Sequence, residues 1–360
     1  MAEHFFPEPC IRDDTWASRG EPTIKWLERS TLPRAANIRT FLNYNLNALP
    51  AEYPPQFYHN LRVRWHSALF ELVVARLIEL LGGEFCLEVQ NTEGRRPDFN
   101  ASFDSRRYII EAIAPQFDQM TKVEEGRNIE LLNIIERNAP PGWSVLLSTL
   151  PEFGPGESKA PLKALLRQLA DLPPPEDEGD WREISIDLPQ GTFECTLVPR
   201  RHGDVPTAGG PMYTSLSDSE SRVRHALRKK KRQTRSEKDP VILAVLASGI
   251  SSSFEDFDKV LFGHSVSHLG PDFRETHVTF EPNGVFARKP LSSSYAAVLA
   301  FINLTPFGVT GPILYVHPQL ELVPSALTAI EQRMLSANRI MRRPAGNPEL
   351  LGGLRFASLD

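Results

Sequence analysis

Cysteine is scarce: Cys10, Cys86 and Cys195 are the three in a chain of 360 residues. The number is odd and no two lie close together. Neither a disulfide framework nor a thiolate zinc site is expected, and a reducing, cytoplasmic setting suits the chain best. Long apolar runs are also missing. The longest, such as Val241–Ala247, are far too short to cross a bilayer, so no membrane partner is expected. The opening MAEHFFPEPC lacks a basic start followed by an apolar stretch, which argues against a secretory signal. Positive charge is not in excess: the net charge is −5, so any nucleic-acid contact must come from a local basic patch rather than from bulk electrostatics. No phosphate-cradling P-loop, dinucleotide glycine motif or internal repeat occurs.

What is present describes a globular protein. Apolar residues make up 41% and charged residues 24%, enough for a sizeable core. Proline is abundant at 31 residues, which implies many turns and extended loops.

Residues 1–33 read as an irregular arm. Residues 34–48 carry Ile38, Phe41, Leu42 and Leu46 at helical spacing, with Pro50, Pro54 and Pro55 ending that helix. The clearest helix is 66–81 (HSALFELVVARLIELL), apolar nearly all round and followed by Gly82 and Gly83, so it should be buried. Strands are expected at 84–90, 97–103 and 107–113, a helix at 123–138 and a strand at 143–149. That order predicts an α/β fold with a mixed central sheet flanked by helices.

The chain then divides into an N-terminal arm and helix (1–60), a core (61–150), an insertion (151–215), a continuation of the α/β core (216–320) and a helical tail (321–360). The insertion holds an acidic, proline-rich segment at 171–180 and a strand at 192–198. The continuation holds a basic helix over 219–235, a buried strand at 241–247, a helix near 255–262, and strands near 277–280 and 296–302.

Chemistry concentrates in the hairpin 96–113. If Asp104 and Ser105 form a two-residue turn, Asp98 and Glu111 stand opposite each other on one face, with Cβ atoms about 5 Å apart. Like charges so placed are destabilising in a sheet unless something offsets them. A hard divalent cation does, and magnesium commonly takes one or two carboxylates. Such a metal polarises a phosphate and supplies a hydroxide nucleophile. The plainer alternative is that Glu111 pairs with Arg95 or Arg96, and that Asp98, after Pro97, only starts a strand.

Glu71 on the buried helix, Arg96-Pro97-Asp98-Phe99 and Ile109-Ile110-Glu111-Ala112 together resemble the nuclease core of the PD-(D/E)XK, or restriction-endonuclease-like, superfamily. Phe41–Leu46, Leu227-Arg228-Lys229-Lys230-Lys231 and Leu261-Phe262-Gly263 extend the resemblance, to an uncharacterised bacterial group within it, over roughly 38–317. The resemblance implies that Glu71, Asp98 and Glu111 bind Mg2+ or Mn2+. It also implies a lysine two residues after the third-strand acid, where this chain has Ile113. Arg96, opposite Ile113 in the same register, and Lys122 at the start of the next helix are the candidate substitutes. Glu71 has its own alternative, a salt bridge to Arg64 or Arg76.

Nine basic residues fall between Arg222 and Lys238. A helix of that density can follow a phosphate backbone, and Arg224, Arg228, Lys229, Lys230, Lys231 and Arg232 are the expected contacts. A solvated helix face is the competing explanation. Two further patterns are set aside. Gly263-His264-Ser265-Val266-Ser267 lacks the second glycine of a hydrolase elbow, and His264, His268 and His277 lack a cysteine to complete a zinc set.

Two functions remain. One is a metal-dependent endonuclease acting on DNA, with a homodimer left open. The other is a catalytically inactive relative that binds nucleic acid or a protein partner.

Overall fold

The computed structural model describes residues 5–15, 17, 21–87, 96–115, 134–135, 138–149, 157, 159–200, 208–209, 219–233, 239–247, 252–269, 275–286, 295–305, 308–318, 323–336 and 339–347. By its contacts the chain divides into two units. One takes Met1–Thr15, Thr23–Gln116 and Leu216–Asp360, and the other Trp16–Pro22 and Phe117–Ser215.

The first unit opens with four helices: α1 (Thr23–Arg29), α2 (Pro33–Ala48), α3 (Pro54–Val63) and α4 (Trp65–Leu80). Residues 1–33 are thus not wholly irregular. Pro54 and Pro55 do not merely stop α2; they occupy the first turn of α3, where a missing N–H costs nothing and φ is already helical. In α4, Leu69, Phe70, Leu72, Val73, Val74 and Leu77 are all buried, as an apolar circumference requires.

Strands β1 (Glu84–Leu87), β2 (Phe99–Phe103) and β3 (Arg106–Ile113) follow. After the second unit come α6 (Ser219–Gln233), β8 (Val241–Ala247), α7 (Phe254–Phe262), β9 (Ser265–Leu269), β10 (Glu275–Phe280), β11 (Ala297–Thr305), β12 (Gly308–Val316), β13 (Glu331–Ser336) and β14 (Arg339–Arg343). Eight strands form one sheet in the order β1-β2-β3-β8-β11-β12-β13-β14, and β9 and β10 pair separately. The large sheet is mixed: β3 runs parallel to β8 and β8 to β11, while β1-β2-β3 and β11-β12 are antiparallel. β8 is buried at all seven positions, the signature of a strand covered on both faces.

The alternation of β3 sorts its side chains. Tyr108 and Ile110 pack into the layer of α1–α4. Ile109 packs on the other face with Val223 and Leu227 of α6 and Phe257, Val260 and Leu261 of α7. Odd-numbered residues of β3 therefore face α6 and α7, and Glu111 is one of them.

The C-terminal stretch read as helical is a correction. Ser325–Ala329 is a short 3-10 turn, and β13 and β14 form a hairpin beyond it. Glu331-Gln332-Arg333-Met334-Leu335 is rich in helix formers, but parallel pairing with β12 decides the outcome, an instance of tertiary context overriding propensity. Arg333 is held there by Asp258 at 2.8 Å, with its guanidinium over the rings of Phe254 and Tyr315.

The second unit holds β4 (Trp143–Thr149), α5 (Ala160–Ala170), β5 (Arg182–Leu188), β6 (Gly191–Pro199) and β7 (Ala208–Gly209). Its strands make their own sheet, β5-β6-β4-β7, around a core that includes Trp143, Val145, Leu162, Leu166, Phe193 and Leu197. The strand at 143–149 therefore exists but belongs to this sheet and not to the large one. The helix expected over 123–138 lies, apart from residues 134, 135 and 138, outside the described residues. No helix among the described residues is long and apolar enough to cross a membrane.

Candidate active site

The site begins with a turn. Asp104 and Ser105 both have positive φ, 49° and 63°, the conformation of a two-residue type I′ hairpin. That turn fixes the register Phe99↔Ile110, Ala101↔Tyr108 and Phe103↔Arg106. One more step in the same register sets Asp98 beside Glu111. Asp98 accepts a hydrogen bond on Oδ2 from the Ala112 N–H at 2.8 Å, so its carboxylate is anchored to the backbone of the strand that carries Glu111.

Glu111 is buried, at 7% exposure. Burial pushes its carboxyl up, the neighbouring Asp98 carboxylate pushes it further, and the Lys230 ammonium opposes both, leaving it at about 7. A carboxyl so placed is poised between its charged and neutral forms in the physiological range. Lys230 Nζ donates to Glu111 Oε2 at 2.6 Å, with side-chain exposures of 24% and 10%.

Helix α6 delivers that lysine. Val223 and Leu227 are its buried contacts, and the Leu227 carbonyl accepts a hydrogen bond from the buried Tyr295 hydroxyl at 2.7 Å. Lys230 follows Val223 by seven residues and Leu227 by three. It therefore falls on the inward stripe of the helix, with its head on the acid. Sequence reasoning placed Lys230 among the phosphate contacts and missed this role. The 223-227-230 spacing was the available signal.

Glu71 sits differently. Both of its oxygens are taken by the Arg64 guanidinium, at 2.9 and 3.1 Å, so the alternative of an Arg64 salt bridge is realised. Glu71 and Asp98 nevertheless line one narrow cleft with Gln56, Phe57, Asn60, Leu87 and Phe99. Its volume of about 10 Å³ is close to what a single water needs. Arg96 is exposed. Lys122, together with Arg95, lies outside the described residues.

On the basic helix, Arg228 and Lys229 are exposed. Arg224 is tied into the fold. It donates to Glu220 at 2.9 Å and to the Asn283 carbonyl at 2.7 Å, which leaves it less available to a phosphate than expected. Lys231 and Arg232 lie in α6, but the placement of their side chains is not among the described features.

The hydrolase-elbow pattern is ruled out by chain order. That motif needs strand, serine turn, helix. Here α7 ends at Phe262 with Gly263 as its cap, and Ser265 begins strand β9. Gly263 has φ of 100°, and a Cβ there would sit 2.1 Å from the Glu281 carbonyl oxygen, so glycine serves helix termination. The three histidines do not converge. His264 lies on the Glu220 carboxylate at 3.0 Å, while His268 and His277 stack at 4.1 Å across the β9-β10 pair.

Among the described residues no group of three or more His, Cys, Asp or Glu side chains is arranged to hold a metal ion. Glu71, Asp98 and Glu111 therefore do not close into a three-carboxylate cage. What remains is a two-carboxylate set of hard oxygen donors, which is the donor type and number that magnesium takes when water and substrate phosphate complete its shell. In comparisons with known proteins, no family model, no curated protein and no solved structure matches this chain.

Proposed function

We propose that this protein is a metal-dependent nuclease of the restriction-endonuclease-like kind, hydrolysing phosphodiester bonds of DNA. The observation that carries the reading is the Asp98–Glu111 pair at the β2-β3 hairpin with the Lys230 ammonium 2.6 Å from Glu111. Two carboxylates and one lysine are the side chains that phosphodiester hydrolysis asks for. They meet here although Ile113 fills the position that the resemblance reserves for lysine.

Asp98 and Glu111 would hold Mg2+ or Mn2+. The metal would supply a Lewis acid for the phosphate and lower the pKa of the attacking water. The chain's own residues supply the frame. The Ala112 N–H fixes the Asp98 carboxylate, and burial keeps Glu111 in a medium where charge interactions are strong. Lys230 provides a positive charge beside the acids, suited to the charge that develops on phosphate. Arg228 and Lys229, exposed on the adjoining turn of α6, would follow the backbone. Glu71, locked to Arg64, lines one narrow cleft with Asp98.

One observation favours the second reading, an inactive nuclease-fold protein that binds nucleic acid. Lys230 already neutralises Glu111, as in a structural ion pair. Incubation of supercoiled and linear duplex with Mg2+, Mn2+ or chelator separates the two. The nuclease reading expects cleavage that needs metal and is lost in Asp98→Asn. Equal DNA binding with and without chelator, and no cleavage in either, would favour the inactive binder.

A further inference from the structure

Resting on the reading of Asp98 and Glu111 as a divalent-metal site, we propose that Lys230 is the resident counter-ion of the acid pair, displaced from Glu111 when the cation binds and thereby freed for a phosphodiester oxygen. Metal occupancy and backbone binding by α6 would then be one coupled event.

The geometry supports each link. The ammonium sits on Glu111 Oε2 at 2.6 Å, on the same carboxylate that a cation would use. A divalent ion and an ammonium brought onto one buried carboxylate repel each other strongly in a low-dielectric setting. The Asp98 carboxylate is held independently, its Oδ2 accepting from the Ala112 N–H. Exchange at Glu111 therefore leaves the other ligand in place.

The lysine head lies within reach of solvent. Its four-carbon stem is flexible, and its side chain is already 24% exposed, so a path to solvent exists. The helix itself stays anchored by Val223, Leu227 and the Tyr295 hydroxyl. Arg228 and Lys229 on the same turn are exposed, so a released Lys230 head joins an existing cationic surface. The ligand class that this surface fits is a polyanion with repeating phosphates.

Two measurements test the proposal. In the wild-type protein, acylation of lysines by a water-soluble N-hydroxysuccinimide ester is read by peptide mass spectrometry across a Mg2+ titration. Lys230 reactivity should rise several-fold and saturate with the calorimetric binding curve, while exposed Lys229 serves as the unchanged reference. In Lys230→Gln, Mg2+ affinity should increase by about tenfold or more, the scale of one charged hydrogen bond no longer in competition. If metal binds with Lys230 reactivity unchanged and the variant's affinity equal to wild type, the counter-ion proposal fails and the metal site stands. If neither protein binds Mg2+ while both remain folded, the site reading fails and the proposal with it.

Discussion

Glu111→Gln should make the protein more stable, and increasingly so as pH rises. Glu111 titrates near 7 in the folded protein against 4.5 for a free glutamate. Between those values the native state holds a proton that the unfolded chain releases, so the glutamate's contribution to stability falls as pH rises through the window. At about 1.4 kcal/mol per pH unit the full difference is about 3 kcal/mol. Below about pH 4.5 both side chains are neutral and the difference closes. Glutamine carries no charge at any pH, and its carbonyl can still accept from Lys230. The gain of the variant over wild type should therefore grow by about 3 kcal/mol from pH 4.5 to pH 8, or roughly 6–12 °C in thermal midpoint. Thermal unfolding of both proteins at half-unit pH steps is the assay. A difference that stays flat across that range would refute the claim that Glu111 is held near neutrality by burial and Asp98.

Charge reversal at Arg228 and Lys229, both exposed, should weaken duplex binding and reduce the magnitude of the salt slope by about two, as loss of two phosphate contacts requires; an unchanged slope in a filter-binding titration would remove the helix from the interface. Phe301→Ala should cost about 3–5 kcal/mol, because Phe301 is wholly buried and makes an edge contact with Phe70 of α4; a loss under about 1 kcal/mol by urea unfolding would contradict that packing. Gly263→Ala should destabilise by at least about 1–3 kcal/mol, since φ is 100° and a Cβ would meet the Glu281 carbonyl; a thermal midpoint unchanged from wild type would show that the α7 terminus is wrongly described.

The hairpin register was legible because two local signals agree. Tyr108-Ile109-Ile110 is β-forming, and Asp104-Ser105 supplies residues that tolerate positive φ. β8 was legible for a similar reason: seven apolar residues in a row leave little but a buried strand. Lys230 was not. In a run of basic residues the eye averages charge, whereas a helix separates neighbours by 100° and sends one lysine inward while Arg228 and Lys229 stay out.

The second unit's hairpin was hidden by its surroundings. Ile184, Ile186 and Leu188 alternate inward, but the acidic, proline-rich stretch before them dominates the composition. The C-terminal hairpin was beyond local reasoning altogether. Its first strand is rich in helix formers, and the pairing of β13 with β12 on one side and β14 on the other, with the Arg333–Asp258 pair, makes it a strand. The Glu71–Arg64 pair was one of two arginine partners open to Glu71; the alternative, Arg76, instead binds Glu79 at 2.5 Å.

The most direct test of the account is calorimetric titration of Mg2+, and of Mn2+, into the wild-type protein and into Asp98→Asn/Glu111→Gln. The expected result is binding by the wild type that the double variant loses while keeping its fold by circular dichroism. Binding by neither, or equal binding by both, would contradict the assignment of Asp98 and Glu111 as a metal site.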